Sequence, residues 1–519
     1  FLDEDVAEEH NDQGSLEDAL LSILVDHMHS DEFQYEGREI EMLDGGRLLV
    51  TAPAEVHAAV AGLIDYIDAA SSRRAVLRWD VFEVTGDSAP EGKLATAMID
   101  TLVQQGNAVL VQSRRESVPL GRTVRRVSER THQVLTKWEP EIAQQAIAEI
   151  PGLNNLISGM TLLLRVEDIP GGGAQRVRML QRIVGAPKLV SHNIDPNDLV
   201  IMELASVELS THMIIELHRA EATTISGSGL LRPGEELVAS AWCRTSAGVT
   251  GRITRLVLEH VDPAPRPLQL AGMETRLLDL SAFFWRGMRM PRAHAWRLQG
   301  REGHAGSVSY RDFDVGRVTF PTEEYHWDDT LEAAVEPFQW ADGGVWEEGN
   351  WMLLSGSPES LATALITMSS RRLVKRSVKL EWGIVDGSGD ALAGGCFDLE
   401  QGDEALALVG DSFSYLHGLE SDVATGAMGT RTRVAEAFDG LWLVAHADGR
   451  GGVQLVLARN HLSGLDEISL GRGSGTFHRA VFESSDLQIR FRADGKRHEL
   501  AELSPGPGNA KLWARATVH

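Results

Sequence analysis

Trp138-Glu139-Pro140-Glu141-Ile142-Ala143, followed sixteen residues after Ala143 by Gly159-Met160-Thr161-Leu162-Leu163-Leu164, decides the fold because the chain writes it twice. The second version reads Leu419-Glu420-Ser421-Asp422-Val423-Ala424 and, again sixteen residues on, Gly440-Leu441-Trp442-Leu443-Val444. The offset is 281 at both ends (143 to 424, 159 to 440), so the two stretches align without a gap. Each glycine opens an apolar strand, then a turn (169–172 or 448–451), then a further strand (176–180 or 452–457). Self-similarity at a fixed spacing marks a repeated structural unit.

A second pairing lies upstream. Arg47-Leu48-Leu49-Val50-Thr51-Ala52-Pro53-Ala54-Glu55 matches Trp351-Met352-Leu353-Leu354-Ser355-Gly356-Ser357-Pro358-Glu359. Each reads as a strand that ends at a helix start, with proline near the first helical position and an acid in the first turn. The helix over 56–69 places Val56, Val60, Leu63, Ile64 and Ile67 on one face, and its counterpart covers 361–368. Both helices feed a strand with basic residues at its start and a tryptophan within it: 73–84 with Trp79, and 375–385 with Trp382. Alternation in these strands predicts one face in a core, and the equivalent tryptophans are expected there. Two matched blocks in the same order make duplication the better reading.

Composition sets outer limits. A chain of 519 residues is too long for one core, and three to five domains are expected. Fifty-one glycines and 5 tyrosines favour many turns and short strands over long helices. No stretch approaches eighteen uninterrupted apolar residues, which argues against a transmembrane helix, while strands of a β-barrel would escape that test. A net charge of −26 argues against nucleic acid, since phosphate binding needs clustered cations. The basic clusters (Arg114-Arg115, Arg122 with Arg125-Arg126, Arg371-Arg372 with Lys375-Arg376) read as solvated edges. The two cysteines, Cys243 and Cys396, exclude a disulfide framework and leave one bridge or two buried thiols open. The start Phe1-Leu2-Asp3 fits a mature exported product and fits truncation equally.

Chemistry is sparse. Histidines two apart on a helix, as in His27-Met28-His29, point about 200° apart and seldom share one ion. Gly471-Arg472-Gly473-Ser474-Gly475 lacks the Lys-Ser/Thr pair of a phosphate loop and reads as a turn. No Gly-x-Ser-x-Gly elbow is present, and Glu139, Glu141, Glu347 and Glu348 give no basis for choosing a glycosidase pair. No catalytic residue, metal ligand or cofactor is therefore assigned. Trp327, Trp340, Trp346 and Trp351 form a candidate aromatic cluster, read as packing against the second helix with carbohydrate or membrane-interface contact as the alternative.

The stretch 44–84 resembles the small ring-building domain of secretins: a Gly-Gly turn, an apolar strand, a Pro-Glu helix start, an amphipathic helix and a strand after basic residues. Residues 350–385 resemble a worn copy, and 275–280 is similar to the short strand that often precedes such a domain. Residues 131–166 and 226–240 resemble parts of the secretin barrel domain. The family's closing motif after the barrel strands is absent, and no clear amphipathic hairpin for membrane insertion is legible. The resemblance implies an α+β fold with small βαβ-type ring-building domains alternating with strand-rich secretin-like β domains, in two diverged tandem copies. The expected divisions are 1–106 and 107–262 for copy one, 263–328 as linker and irregular segment, and 329–400 and 401–519 for copy two. It implies a non-catalytic homo-oligomeric ring or pore subunit of the bacterial cell envelope or outer membrane. Its partners would be itself, other envelope proteins and membrane, but not nucleic acid. Arg47, Leu49, Thr51, Arg78, Asp80 and Glu83 form the candidate ring interface. An extracellular surface lattice or appendage is the alternative, and a secreted hydrolase a remote one.

Overall fold

The structure, a computed structural model, describes residues 39–43, 47–84, 96–143, 146–169, 173–194, 213–270, 273–279, 301–302, 305–306, 344–348, 351–372, 377–424, 427–448, 451–469, 476–503 and 510–518. In chain order the first elements are β1 (Glu39–Leu43), β2 (Arg47–Thr51), α1 (Ala54–Ser71), β3 (Arg74–Val84), α2 (Thr96–Gln104) and β4 (Ala108–Pro119). There follow β5 (Thr123–Ala143), β6 (Ala146–Asp168), β7 (Gln175–Val184), β8 (Lys188–Ile194), β9 (Met213–Leu231), β10 (Glu236–Thr245) and β11 (Gly248–Val261). The middle of the chain holds β12 (Leu268–Leu270), β13 (Met273–Asp279), β14 (Arg301–Glu302), β15 (Ala305–Gly306), β16 (Gly344–Glu348), β17 (Trp351–Gly356) and α3 (Pro358–Arg372). The last are β18 (Ser377–Val385), β19 (Ala391–Glu400), β20 (Glu404–Ala424), β21 (Ala427–Ala447), β22 (Gly452–Ser469), β23 (Thr476–Arg492), β24 (Arg497–Leu503) and β25 (Ala510–Val518). The fold is α+β and dominated by strands.

Two large sheets pack face to face. One has the order β24-β25-β18-β19-β10-β11-β3-β4; the other runs β23-β22-β21-β20-β9-β7-β6-β5, with β8 also on β9. The core between them follows the period-2 rule. Ala75, Leu77, Trp79 and Val81 of β3, and Val378, Leu380, Trp382 and Ile384 of β18, meet Leu162, Leu164 and Val166 of β6 and Leu441, Leu443 and Ala445 of β21. Trp79 and Trp382 are both fully buried, as their alternation predicts, and Trp382 stacks on Phe397 with centroids 6.4 Å apart. The outer face of the first sheet carries a smaller core in which Ile99 and Leu102 of α2 cover Phe82, Trp242 and Cys396.

The small modules sit apart from this sandwich. Helix α1 buries Val56, Val60 and Leu63, the predicted face, together with Tyr66, whose Oη accepts the Leu277 N–H at 3.1 Å. Its partners include Leu48 and Val50 of β2 and Leu353 of β17. Thus the first α+β module packs on the four-stranded sheet β12-β13-β17-β16 that carries the second.

Several strands are longer than the sequence suggests. Residues 118–128 and 132–138 read as two strands, but the break falls at Gly121 (φ 73°) and β5 then runs unbroken to Ala143. Strand β6 begins at Ala146 rather than near Met160, so β5 and β6 form a hairpin of 21 and 23 residues. Polar residues on both faces hide such a hairpin from a search for clean alternation. The sequence pattern also predicts a helix over 91–105, seen as α2 from Thr96 to Gln104, and helices at 15–28 and from Thr330 and a strand at 199–208, which lie outside the described residues. Cys243 and Cys396 are free and buried. They lie on neighbouring strands but contribute to opposite faces of the sheet, so no bridge forms.

Candidate assembly edges

The 281-residue spacing of the matched blocks recurs in the ladders. Hairpin β5–β6 pairs Thr123 with Arg165, and β20–β21 pairs Glu404 with His446, each residue 281 from its counterpart. The register slips between Leu135 and Lys137 in one hairpin and between Leu416 and Gly418 in the other, again 281 apart. Gly159 and Gly440 mark a close approach: a Cβ on Gly159 would stand 2.1 Å from the Ser128 carbonyl, and one on Gly440 2.4 Å from that of Val409. This is why glycine opens each repeated apolar strand.

Across the wider sheet, the row Gly159–Val184–Ala222 on β6, β7 and β9 is repeated by Gly440–Asn460–Ser484 on β21, β22 and β23. In the other sheet, Arg114–Trp79–Leu256–Leu237 on β4, β3, β11 and β10 is repeated by Gly395–Trp382–Ala514–His498 on β19, β18, β25 and β24. Each large sheet is therefore two four-stranded units laid side by side in the same sense.

The units join at a seam inside the chain. On one sheet β10 pairs with β19 (Ala239 with Phe397 through Cys243 with Ala393); on the other β9 pairs with β20 (Ile225 with Ala407 through Arg219 with Phe413). Small residues line the first: Gly395 faces Ala241, and a Cβ on it would stand 2.2 Å from the Ser240 carbonyl. A buried ionic cluster locks the two halves. Arg176 makes two bonds to Glu400, one of 2.8 Å from Nη2, and lies 3.6 Å from Glu167. Arg178 reaches Asp403 at 3.4 Å, and Arg165 reaches Glu167 at 2.8 Å. Burial works against the Arg176 charge, but the Glu400 carboxylate, with Asp403 and Glu167 behind it, raises its pKa above the ordinary value.

Each unit that joins the other at the seam also ends in an edge that is unpaired among the described residues. Strands β4 and β5 close one end of the two sheets, and β24 and β23 close the other. From Leu135 onward β5 leans on its own chain, with the Leu135 N–H on Glu216 at 2.9 Å and the Trp138 N–H on Thr432 at 3.0 Å. Residues 125–131 of β5 and 113–115 of β4 are exposed. Open edges are templates for further pairing, and charges placed on them oppose promiscuous pairing.

The candidate interface residues fall in two places. Arg47, Leu49 and Thr51 share the exposed face of β2, opposite the face on α1. Arg78, Asp80 and Glu83 lie on β3, flanked by β4 and β11. Asp80 is buried and accepts bonds from Ser113 Oγ at 2.6 Å and Arg255 Nη2 at 2.9 Å. It lines a cleft of about 520 Å³ beside α2, next to the β4 edge. Trp346 and Trp351 sit on β16 and β17, paired with Leu353 and Glu348, while Trp327 and Trp340 lie outside the described residues. Glu139 and Glu141 lie on β5, and Glu347 and Glu348 on β16, in different sheets. His27, His29 and residues 471–475 are outside the described residues. Among the described residues no group of three or more His, Cys, Asp or Glu is placed to hold a metal ion, and no helix is long and apolar enough to cross a membrane. The edges of the two sheets escaped sequence reasoning, although the basic clusters at 114–115 and 122–126 were the signal that marked β4 and β5.

No protein-family model matches the chain, and no curated protein matches it. Among solved structures it is similar to a chain of the ETEC pilotin–secretin AspS–GspD complex, at 10% identity and TM-score 0.23 over 47% of this chain and 60% of that one. It is similar to the T2SS secretin XcpQ from Pseudomonas aeruginosa, at 10% identity and TM-score 0.23 over 48% and 72%. A third likeness is to the InvG secretin-domain β-barrel of the Salmonella SPI-1 injectisome NC-base, at 13% identity and TM-score 0.19 over 47% and 80%. The chain thus spans less than two thirds of the first of these.

Proposed function

We propose that the chain is a non-catalytic structural subunit of a homo-oligomeric, secretin-like ring or pore in the bacterial cell envelope, each copy supplying two tandem units. One observation carries this reading: both sheets join their halves edge to edge in the same sense and, among the described residues, leave the matching edges unpaired at both ends. A head-to-tail contact of this kind generates a ring when its rotation closes. Here one such step is already built inside the chain, and both sheets would take the next step together. A ring of such chains would need half as many copies as one built from single units. In this reading the small modules of 39–71 and 344–372 build the ring and β3 to β11 with β18 to β25 form the strand-rich body, so the divisions expected at 106 and 400 fall inside its first sheet. The exposed face of β2 (Arg47, Leu49 and Thr51) then meets a neighbouring copy. Other envelope proteins, or membrane at the aromatic-rich segment around Trp346 and Trp351, complete the surroundings.

The test is to purify the whole chain in mild detergent, measure its mass by light scattering and view negatively stained particles. Closed rings of uniform diameter are expected. Sheets or filaments would move the function to a surface lattice, and a chain that stays monomeric at every concentration would sink the proposal.

A further inference from the structure

The internal seam gives residue-level coordinates for the seam between copies, an inference that rests on the head-to-tail reading above. Ala501, opposite Leu512, stands where Ala239 stands opposite Thr254, and Glu116 stands 281 residues before Phe397. The pairs Ala239–Phe397, Ser240–Cys396 and Ala241–Gly395 therefore become Ala501–Glu116, Glu502–Arg115 and Leu503–Arg114. On the other sheet Ser484 takes the place of Ala222, so Ile225–Ala407 through Arg219–Phe413 become Leu487–Arg126 through Val481–His132. Within that run Ser485 faces Ser128 and Glu483 faces Arg130.

We infer that β24 and β23 of one copy pair with β4 and β5 of the next in this register, held by ion pairs Glu502–Arg115 and Glu483–Arg130. Three observations not used to derive the register favour it. The two acids each fall opposite an arginine, although the chain as a whole carries a net charge of −26. The β4 and β5 segments involved hold Arg114, Arg115, Arg126 and Arg130 against only Glu116 and Glu129. Glu483 Oε2 is enclosed without a hydrogen-bond partner, so a donor from a neighbouring strand would satisfy it. Arg115 and Arg130 are exposed, Arg115 Nε resting 2.6 Å from Glu259. On the β10–β19 side the internal seam has small apolar residues at Ala239, Ala241 and Gly395. The outer edges carry charges that keep a lone copy soluble and select one register when a second arrives.

The experiment introduces Ser128→Cys and Ser485→Cys together in the full chain. The two positions lie on opposite edge strands of one sheet, and a bond within one chain would run as a monomer, so only a bond between copies gives a multimer. Cys243 and Cys396 are buried and stay silent. Mild oxidation is expected to give a ladder of covalent dimers and higher multimers, absent from each single variant and from Ser128→Cys with Ser484→Cys, which breaks register by one. Arg130→Glu should raise the concentration for half-assembly by roughly tenfold or more, with the unfolding midpoint unchanged because Arg130 is exposed. Adding Glu483→Arg should recover most of it. Rings without the Ser128–Ser485 ladder, or with the ladder only in the shifted pair, would overturn this register and leave the ring intact. A protein that never exceeds a monomer overturns both.

Discussion

Replacing Glu400 by Gln tests the ionic cluster that ties the two halves together. Arg176, Glu167 and Glu400 are buried almost completely, and Arg178 and Asp403 nearly so. Three cations (Arg165, Arg176, Arg178) meet three anions (Glu167, Glu400, Asp403), so the cluster is neutral as a whole. Glu400→Gln keeps the shape and removes one charge, leaving Arg176 with Asp403 and with Glu167, the latter at 3.6 Å, as remaining anions. Breaking a buried pair costs about 3–5 kcal/mol, because the surviving charge is left uncompensated in a medium that solvates it poorly. With Glu167 still in reach, the lower end of that range, about 3 kcal/mol, is expected. Taking both charges out should cost much less, since the desolvation of Arg176 disappears with it. The assay is urea unfolding followed by tryptophan fluorescence, with Trp79 and Trp382 reporting on the core between the sheets. Glu400→Gln, Arg176→Met and the double variant Arg176→Met/Glu400→Met complete an approximate cycle. A Glu400→Gln cost below about 1 kcal/mol, or a double variant whose loss is the sum of the singles, would refute the reasoning.

Three further outcomes are expected. Gly159→Ala should destabilise by about 3 kcal/mol, because φ is 124° and the new Cβ would meet the Ser128 carbonyl, whereas Gly173→Ala (φ 62°, nothing within 4 Å) should cost about 1 kcal/mol; thermal unfolding of the two separates strain from collision. Burial pushes the Cys396 thiol up to about 12 and the Cys243 thiol well above its usual value, so neither should react with a thiol reagent at pH 8 until urea unfolds the chain, and fast labelling of the native protein would contradict their placement. Burial lowers the pKa of His218 below 6.5, so the unfolded chain takes up a proton that the folded one resists. That contribution to stability is complete above about pH 6.5 and is lost as the pH falls below it. His218→Asn should lessen the drop in urea midpoint between pH 7.5 and 5.5, and an unchanged drop would exclude His218 as a source.

Much of this fold is written locally. The glycine–strand–turn–strand block and its 281-residue echo are properties of the sequence, and they hold residue by residue in the two long hairpins because hairpin register depends on neighbours along the chain. Period-2 alternation was enough to send Trp79 and Trp382 inward, and the apolar spacing of α1 was enough to name Val56, Val60 and Leu63. Tyr66 was not legible, because its partner, the Leu277 N–H, lies 211 residues away. Nor was the bond between Arg176 and Glu400, separated by 224 residues.

What only the tertiary structure decides is which strand meets which across the two halves. Antiparallel pairing of β10 with β19 and β9 with β20 depends on shape at long range: glycines at 394 and 395 that let β10 approach, and a charge cluster that closes over the joint. No local pattern encodes that choice, since any exposed edge offers the same row of N–H and C=O groups. The sequence by itself carried the matched blocks and their 281-residue spacing. Packing determined that the two units share both sheets and, among the described residues, leave four strand edges unpaired, because only folding in three dimensions separates an edge already paired from one still open.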